Sequence, residues 1–173
     1  MQAPYSPKTI ANYFLERRKD PKIKPVTQMK LHKLVYFSHG WYLAFTGDPL
    51  INEMVEAWEY GPVVPTLYHE FKEFGSREIK RLATDWDPIT EEYYDAPKIP
   101  SKDVLTIRLL KNMFTLYGGM SAIEMSALTH TKDSPWDLTR KENEGIRFVD
   151  IPNDRIRDYF ASKLMDSREA QRS

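Results

Sequence analysis

The chain has 173 residues, with 25 basic and 25 acidic side chains, four histidines and no cysteine. That length suits one domain with a sizeable core, 41% apolar residues argue against disorder, and zero net charge gives no global attraction to a polyanion. Disulfide frameworks, thiolate zinc sites and cysteine nucleophiles are excluded, and no apolar run approaches the ~20 residues of a membrane-spanning helix. The N-terminus lacks a signal-peptide layout, so a cytoplasmic protein is expected.

Residues 1–5 read as a short arm. Ser6-Pro7 then reads as N-cap and first helical position, with Ile10, Tyr13, Phe14 and Arg17 on one face of a helix that ends before Asp20-Pro21. Thr27 opens the central helix, where Leu31, Leu34, Val35, Ser38, Trp41, Tyr42 and Phe45 recur at helical spacing until Gly47-Asp48-Pro49 stops it. The period of two over Met54–Glu59 predicts a short strand or hairpin around residues 53–60. Gly61-Pro62 is expected to halt that strand and re-aim the chain into a helix carrying Leu67, Tyr68, Phe71 and Phe74. Residues 76–100 read as an irregular acidic connection with room for a second short strand.

Ser101 and Asp103 open a further helix with Ile107, Leu110, Phe114 and Tyr117 on its buried stripe. Ser121 and Glu124 have the spacing of a capping box for the short helix that follows, running to about Thr129. Asp137–Glu144 adds a helical turn, Ile151-Pro152 starts a last helix, and residues 166–173 form a polar tail expected to fray. The fold class predicted is mainly α: a compact single-domain helical bundle with a small β element.

The residues that carry chemistry in other proteins are scattered here. His32 and His39 share a helical face but lie ~10 Å apart along the axis, too far for one zinc, and His69-Glu70 lacks the second histidine of a metalloprotease. Neither phosphate-loop spacing nor a nucleophile elbow occurs, so no enzyme, cofactor or metal is expected. The segment 17–33 is basic and neighbours Tyr13, Tyr36 and His32, a pattern open to a nucleic-acid-binding regulator. Against it, Asp48–Glu59 and Asp85–Asp95 contain no basic residue, and such segregated charge suits a protein partner better than a polyanion. Ten tyrosines and four tryptophans suit protein recognition, although core packing is the default for Trp41, Phe45, Phe71 and Phe114. Tyr36, Trp58, Tyr60, Tyr68 and Trp136 sit at helix flanks or turns and are open to either role.

Five blocks resemble one family in order along the chain: SPKTIANYFL, TQMKLHKLVYFSHGWYLAFTG with its following PLI, EAWEYGPVVPTLYHEFKEFG, SAIEMSALTHTKDSPW and IPNDRIRDYF. Together they resemble the SocA-like antitoxin domain, also called the Panacea domain, over residues 6–165. The resemblance implies an antitoxin of a bacterial or prophage toxin–antitoxin pair. It would neutralise a cognate protein toxin, alarmone-synthetase-like toxins among them, by direct contact. One branch of the family implies instead an adaptor that delivers the toxin to an ATP-dependent protease through its unfoldase. No membrane partner is implied. Of the family hallmarks, Leu31, Leu34, Phe37, Glu56, Ala57, Gly61, Pro62, Val63, Thr129, His130, Pro135 and Trp136 are expected to be structural. Lys30, Lys33, Tyr36, Trp58, Tyr60 and Tyr68 are the candidate partner-binding residues.

Overall fold

The computed structural model describes residues 3–170, and side chains within 3–166. In chain order the elements are α1 (Pro7–Leu15), α2 (Gln28–Thr46), β1 (Val55–Trp58), β2 (Gly61–Val63) and α3 (Pro65–Phe71), which runs into a 3-10 turn at Lys72–Phe74. They continue with β3 (Thr84–Asp87), β4 (Glu92–Asp95), α4 (Val104–Tyr117), α5 (Ala122–Thr129), α6 (Pro135–Glu142), β5 (Asp150–Ile151) and α7 (Asn153–Ala170). The protein is mainly α with a small β component.

The helix starts are set by side chains that accept from otherwise orphaned amides. Ser6, Thr27, Asp103 and Ser134 each accept from an amide of the first turn, and Ser121 with Glu124 forms the full capping box. Within that frame α2 is the hub. Almost every residue from Gln28 to Leu43 is buried, because α1, α4, α5, α7 and β2 surround it. Gly40 lets α7 approach so closely that a Cβ there would lie 2.2 Å from the Phe160 ring. Phe160 in turn meets Tyr36, Phe37 and Trp41 edge-on, and Phe37 stacks on Tyr117 with centroids 4.6 Å apart.

A helix buried on all sides must satisfy its polar residues inward, and those of α2 reach out to hold loops. Lys30 Nζ donates to Lys24 O (2.8 Å) and to Gly118 O (2.6 Å) at the C-terminal end of α4, where a cation is favoured by the helix dipole. His39 Nδ1 accepts from Leu50 N, and its Nε2 bonds Asn153 Oδ1 at the start of α7. Burial holds the His39 imidazole down at about 4 and Lys30 at about 8.

Several expectations need correction. Residues 61–63 are a second strand, not the end of the first, and the acidic connection contains a complete hairpin. The last helix starts at Asn153, because Ile151 pairs with Val55. Its backbone continues through Ala170 into the segment read as a tail, of which residues 171–173 lie outside the described residues. Tyr5, counted with the N-terminal arm, is core: its amide donates to Leu50 O and its hydroxyl to Asp103 Oδ2. Phe45, expected inside, is 53% exposed, because it follows the point where α2 emerges from its neighbours.

Candidate functional site

The order of the main sheet is β2-β1-β5, with β1 antiparallel to both neighbours. Val55 and Ala57 point inward and are buried, which turns Glu56 and Trp58 to the half-buried outer face. Glu59 and Tyr60 form the turn, and Gly61 closes it at φ +105°, a backbone conformation open to glycine. Pro62 stands opposite Ala57 on the edge strand, the position where a missing N–H costs no ladder bond.

What fixes this corner is Lys33. Its Nζ rises from α2 to donate to Tyr60 O (2.9 Å) and Pro62 O (3.1 Å), and Ser126 Oγ of α5 also reaches Tyr60 O (3.4 Å). Desolvation holds the Lys33 amine down at about 7. A neutral amine keeps two N–H donors, which match the two carbonyls. A Cβ on Gly61 would fall 2.7 Å from Nζ, so glycine is needed here for space as well as for φ. From the side, Trp136 Nε1 donates to Trp58 O (2.7 Å), and His130 lies against Trp136 with ring centroids 3.9 Å apart. Thr129 and Pro135 are buried in the turn between α5 and α6, where Ser134 Oγ donates to Thr129 O. Beyond β2, the amide of Val64 donates to His32 Nδ1 (3.2 Å). His32 is buried with its Nε2 unpartnered, and burial holds it down at about 3.

The outer face of the corner is aromatic. The Trp58 ring has Tyr68 of α3 at 4.7 Å and Phe148 at 4.9 Å, and its Nε1 donates to Glu56 Oε2 (2.6 Å). Phe148 is 59% exposed and adopts φ +60°, an unfavourable region for a bulky residue. Tyr60 projects from the turn at 67% exposure. Its backbone is pinned, while its side chain makes no hydrogen bond or ring contact among the described residues.

Of the six candidate contact residues, the structure thus groups Trp58 and Tyr68 with Phe148, and it leaves Tyr60 exposed at the adjoining turn. Lys30, Lys33 and Tyr36 are buried and cannot form an exposed face. Helical spacing sets them along one flank of α2 beside the corner, and α4, α5 and α7 close over that flank. Leu31, Leu34 and Phe37 are core, Ala57, Gly61, Pro62 and Val63 are buried at the corner, and Glu56 is half-buried. Phe148 had no signal: GIRFVD carries no periodicity and joins the site only because β5 returns beside β1. The basic segment 17–33 loses Lys30 and Lys33 to the core, Arg18 donates to the Leu15 and Lys80 carbonyls, and Lys24 pairs with Glu124. No group of three or more metal-ligating side chains occurs among the described residues. No helix among them is long and apolar enough to cross a membrane.

Residues 31–137 match the family model described as antitoxin SocA-like, Panacea domain. The chain is 31% identical over 131 residues to the antitoxin SocA of Caulobacter vibrioides (strain NA1000 / CB15N), covering 76% of this chain and 68% of that protein. No solved structure matches it. A match across more than half of the chain, running from the pinning helix α2 to the Trp136 brace, places this protein in the SocA-like antitoxin family with a Panacea domain.

Proposed function

We propose that the protein is an antitoxin that binds a cognate protein toxin directly, through the face made by Trp58, Tyr60, Tyr68 and Phe148. The reading rests on family membership together with one observation. Around a turn held by Lys33, Ser126 and Trp136, the rings stay partly exposed when burial would be the default for aromatic side chains. Large rings on a pre-organised backbone lose little entropy on binding, and such anchors dominate interface energies.

Tyr60 offers the clean test, since its ring is not needed by the fold. Tyr60→Ala should leave the melting temperature unchanged and weaken toxin binding by about 2 kcal/mol, roughly thirtyfold. The experiment is co-expression with the product of the adjacent open reading frame, scoring growth and co-purification. Growth arrest relieved by this chain with a stable complex, and loss of both with Tyr60→Ala, is the expected outcome. Relief without a complex, with the toxin disappearing, would replace direct inhibition by delivery to a protease. Full relief by folded Tyr60→Ala and Phe148→Ala variants would remove this face from the proposal.

A further inference from the structure

The geometry points to a second docking surface, independent of the antitoxin reading: the β3–β4 hairpin is an arm that receives an arginine-rich segment of a partner protein. The two strands pair only with each other among the described residues, and a lone hairpin in water is marginal. This one is clamped at its base. Lys8 Nζ donates to Thr84 O (2.6 Å) and pairs with Asp85 and Glu70. Asn12 bonds both the amide and the carbonyl of Ala83, and Glu70, itself paired with Arg81, accepts from Thr84 N. Beyond that clamp, the side-chain hydrogen bonds to the backbone are the arm's own, with Asp87 Oδ1 accepting from Ile89 N and Thr90 N to shape the turn.

Register then separates the faces. Thr84, Trp86, Tyr93 and Asp95 share one face, and Trp86 sits directly across from Tyr93 with centroids 4.9 Å apart. Trp86 is 48% exposed and Tyr93 72%. Asp85 is engaged by Lys8 and Asp87 by the turn, which leaves Asp95 exposed on the face of these rings, Glu91 exposed at the turn, and Glu92 exposed on the reverse face. From Leu82 to Pro97 there is no basic residue. An acidic arm with an exposed ring pair on one face, Asp95 beside the pair and Glu91 at the tip, repels nucleic acid and anionic lipid. It complements a guanidinium, which stacks flat on a ring while its N–H fork reaches a carboxylate. The chain already shows the stacking half of this chemistry, with Arg17 lying 3.7 Å over the Tyr13 ring.

The test is fluorescence anisotropy of a labelled arginine–serine repeat peptide titrated with the full chain, beside a glutamate–serine control peptide. Hydrogen exchange of the wild-type chain with the arginine peptide locates the contact without any substitution. Binding of the arginine peptide alone, with protection confined to residues 84–95, is expected. Glu92→Lys with Asp95→Lys should abolish it, and Trp86→Ala with Tyr93→Ala should weaken it by on the order of tenfold. No binding by the wild-type chain, or protection elsewhere, would overturn the proposal. Equal binding by the folded aromatic double variant would also overturn it, reducing the attraction to diffuse charge. So would a wild-type dimer that the charge reversals convert to monomer, since the occupant would then be a second copy. If a variant fails to fold, the wild-type exchange footprint decides.

Discussion

The molecule carries two hairpins of similar length with opposite fates. In β1–β2, a third strand pairs alongside, Lys33 and Ser126 hold the turn from below, and Trp136 braces the flank, so only the turn and the outer face reach solvent. In β3–β4, the supports end at the base, and every residue of β4 is exposed. Both display aromatic side chains. The difference teaches that what turns a hairpin into scaffold is its neighbours: a strand to extend the ladder and a buried donor for the carbonyls at the turn. Without them, the same kind of segment projects as an arm.

Acid should separate the two most strongly. His32, which receives the Val64 amide next to β2, and His39 are buried and neutral, with folded values of about 3 and about 4 against an ordinary 6.5. Below pH 6.5 the unfolded chain takes up protons that the folded chain refuses. The imidazoles' contribution to stability is therefore full above that value and is lost as pH falls toward 4. Lys33, depressed from 10.5 to about 7, acts in the same direction at higher pH: stability rises between those values as the amine ceases to be a buried charge. Melting temperature against pH checks the slope. Hydrogen exchange should show Val64 and the β1–β2 ladder opening early, and a flat profile from pH 4 to 7 would contradict the buried neutral imidazoles.

Gly61→Ala comes next, with an expected loss of about 3 kcal/mol, since the new methyl meets both an unfavourable φ and the Lys33 amine. Chemical denaturation measures it. Lys33→Met should cost about 1–2 kcal/mol, because the Pro62 carbonyl loses its donor while the cost of desolvating the amine is relieved. Its sharper signature is faster exchange in residues 55–63 with residues 84–95 unmoved. Smallest is Trp86→Ala, about 0.5 kcal/mol or less in stability, because the ring supports only its cross-strand partner. A large loss there would mean that the second hairpin is scaffold after all.

Helix beginnings were legible in the residues, because a cap is local: Ser6, Thr27, Asp103 and Ser121 lie within three residues of the amides they serve. The family was legible as well, since its motifs span α2 and the β1–β2 corner in one unbroken order. The β3–β4 pairing was only half visible, because a lone short strand has no sequence signature until a partner fixes its register. The candidate face was read partly wrong for a related reason. Lys30 and Lys33 look like surface lysines by type, and nothing within one helix says which of its sides will be covered.

The sequence by itself determined the mainly helical class, the starts of the helices capped by Ser6, Thr27, Asp103 and Ser121, the glycine at the tight corner and the antitoxin-family membership, all of which depend on residue type at short spacing. Only the tertiary structure decided that Lys30, His32, Lys33 and His39 turn inward and that Phe148 joins Trp58 and Tyr68. It also decided that one hairpin is braced and the other is not. The physical reason is that burial belongs to no residue alone. It is set when elements distant in sequence, here α5 and α7 against α2 and β5 against β1, close over a surface that each of them reads as exposed.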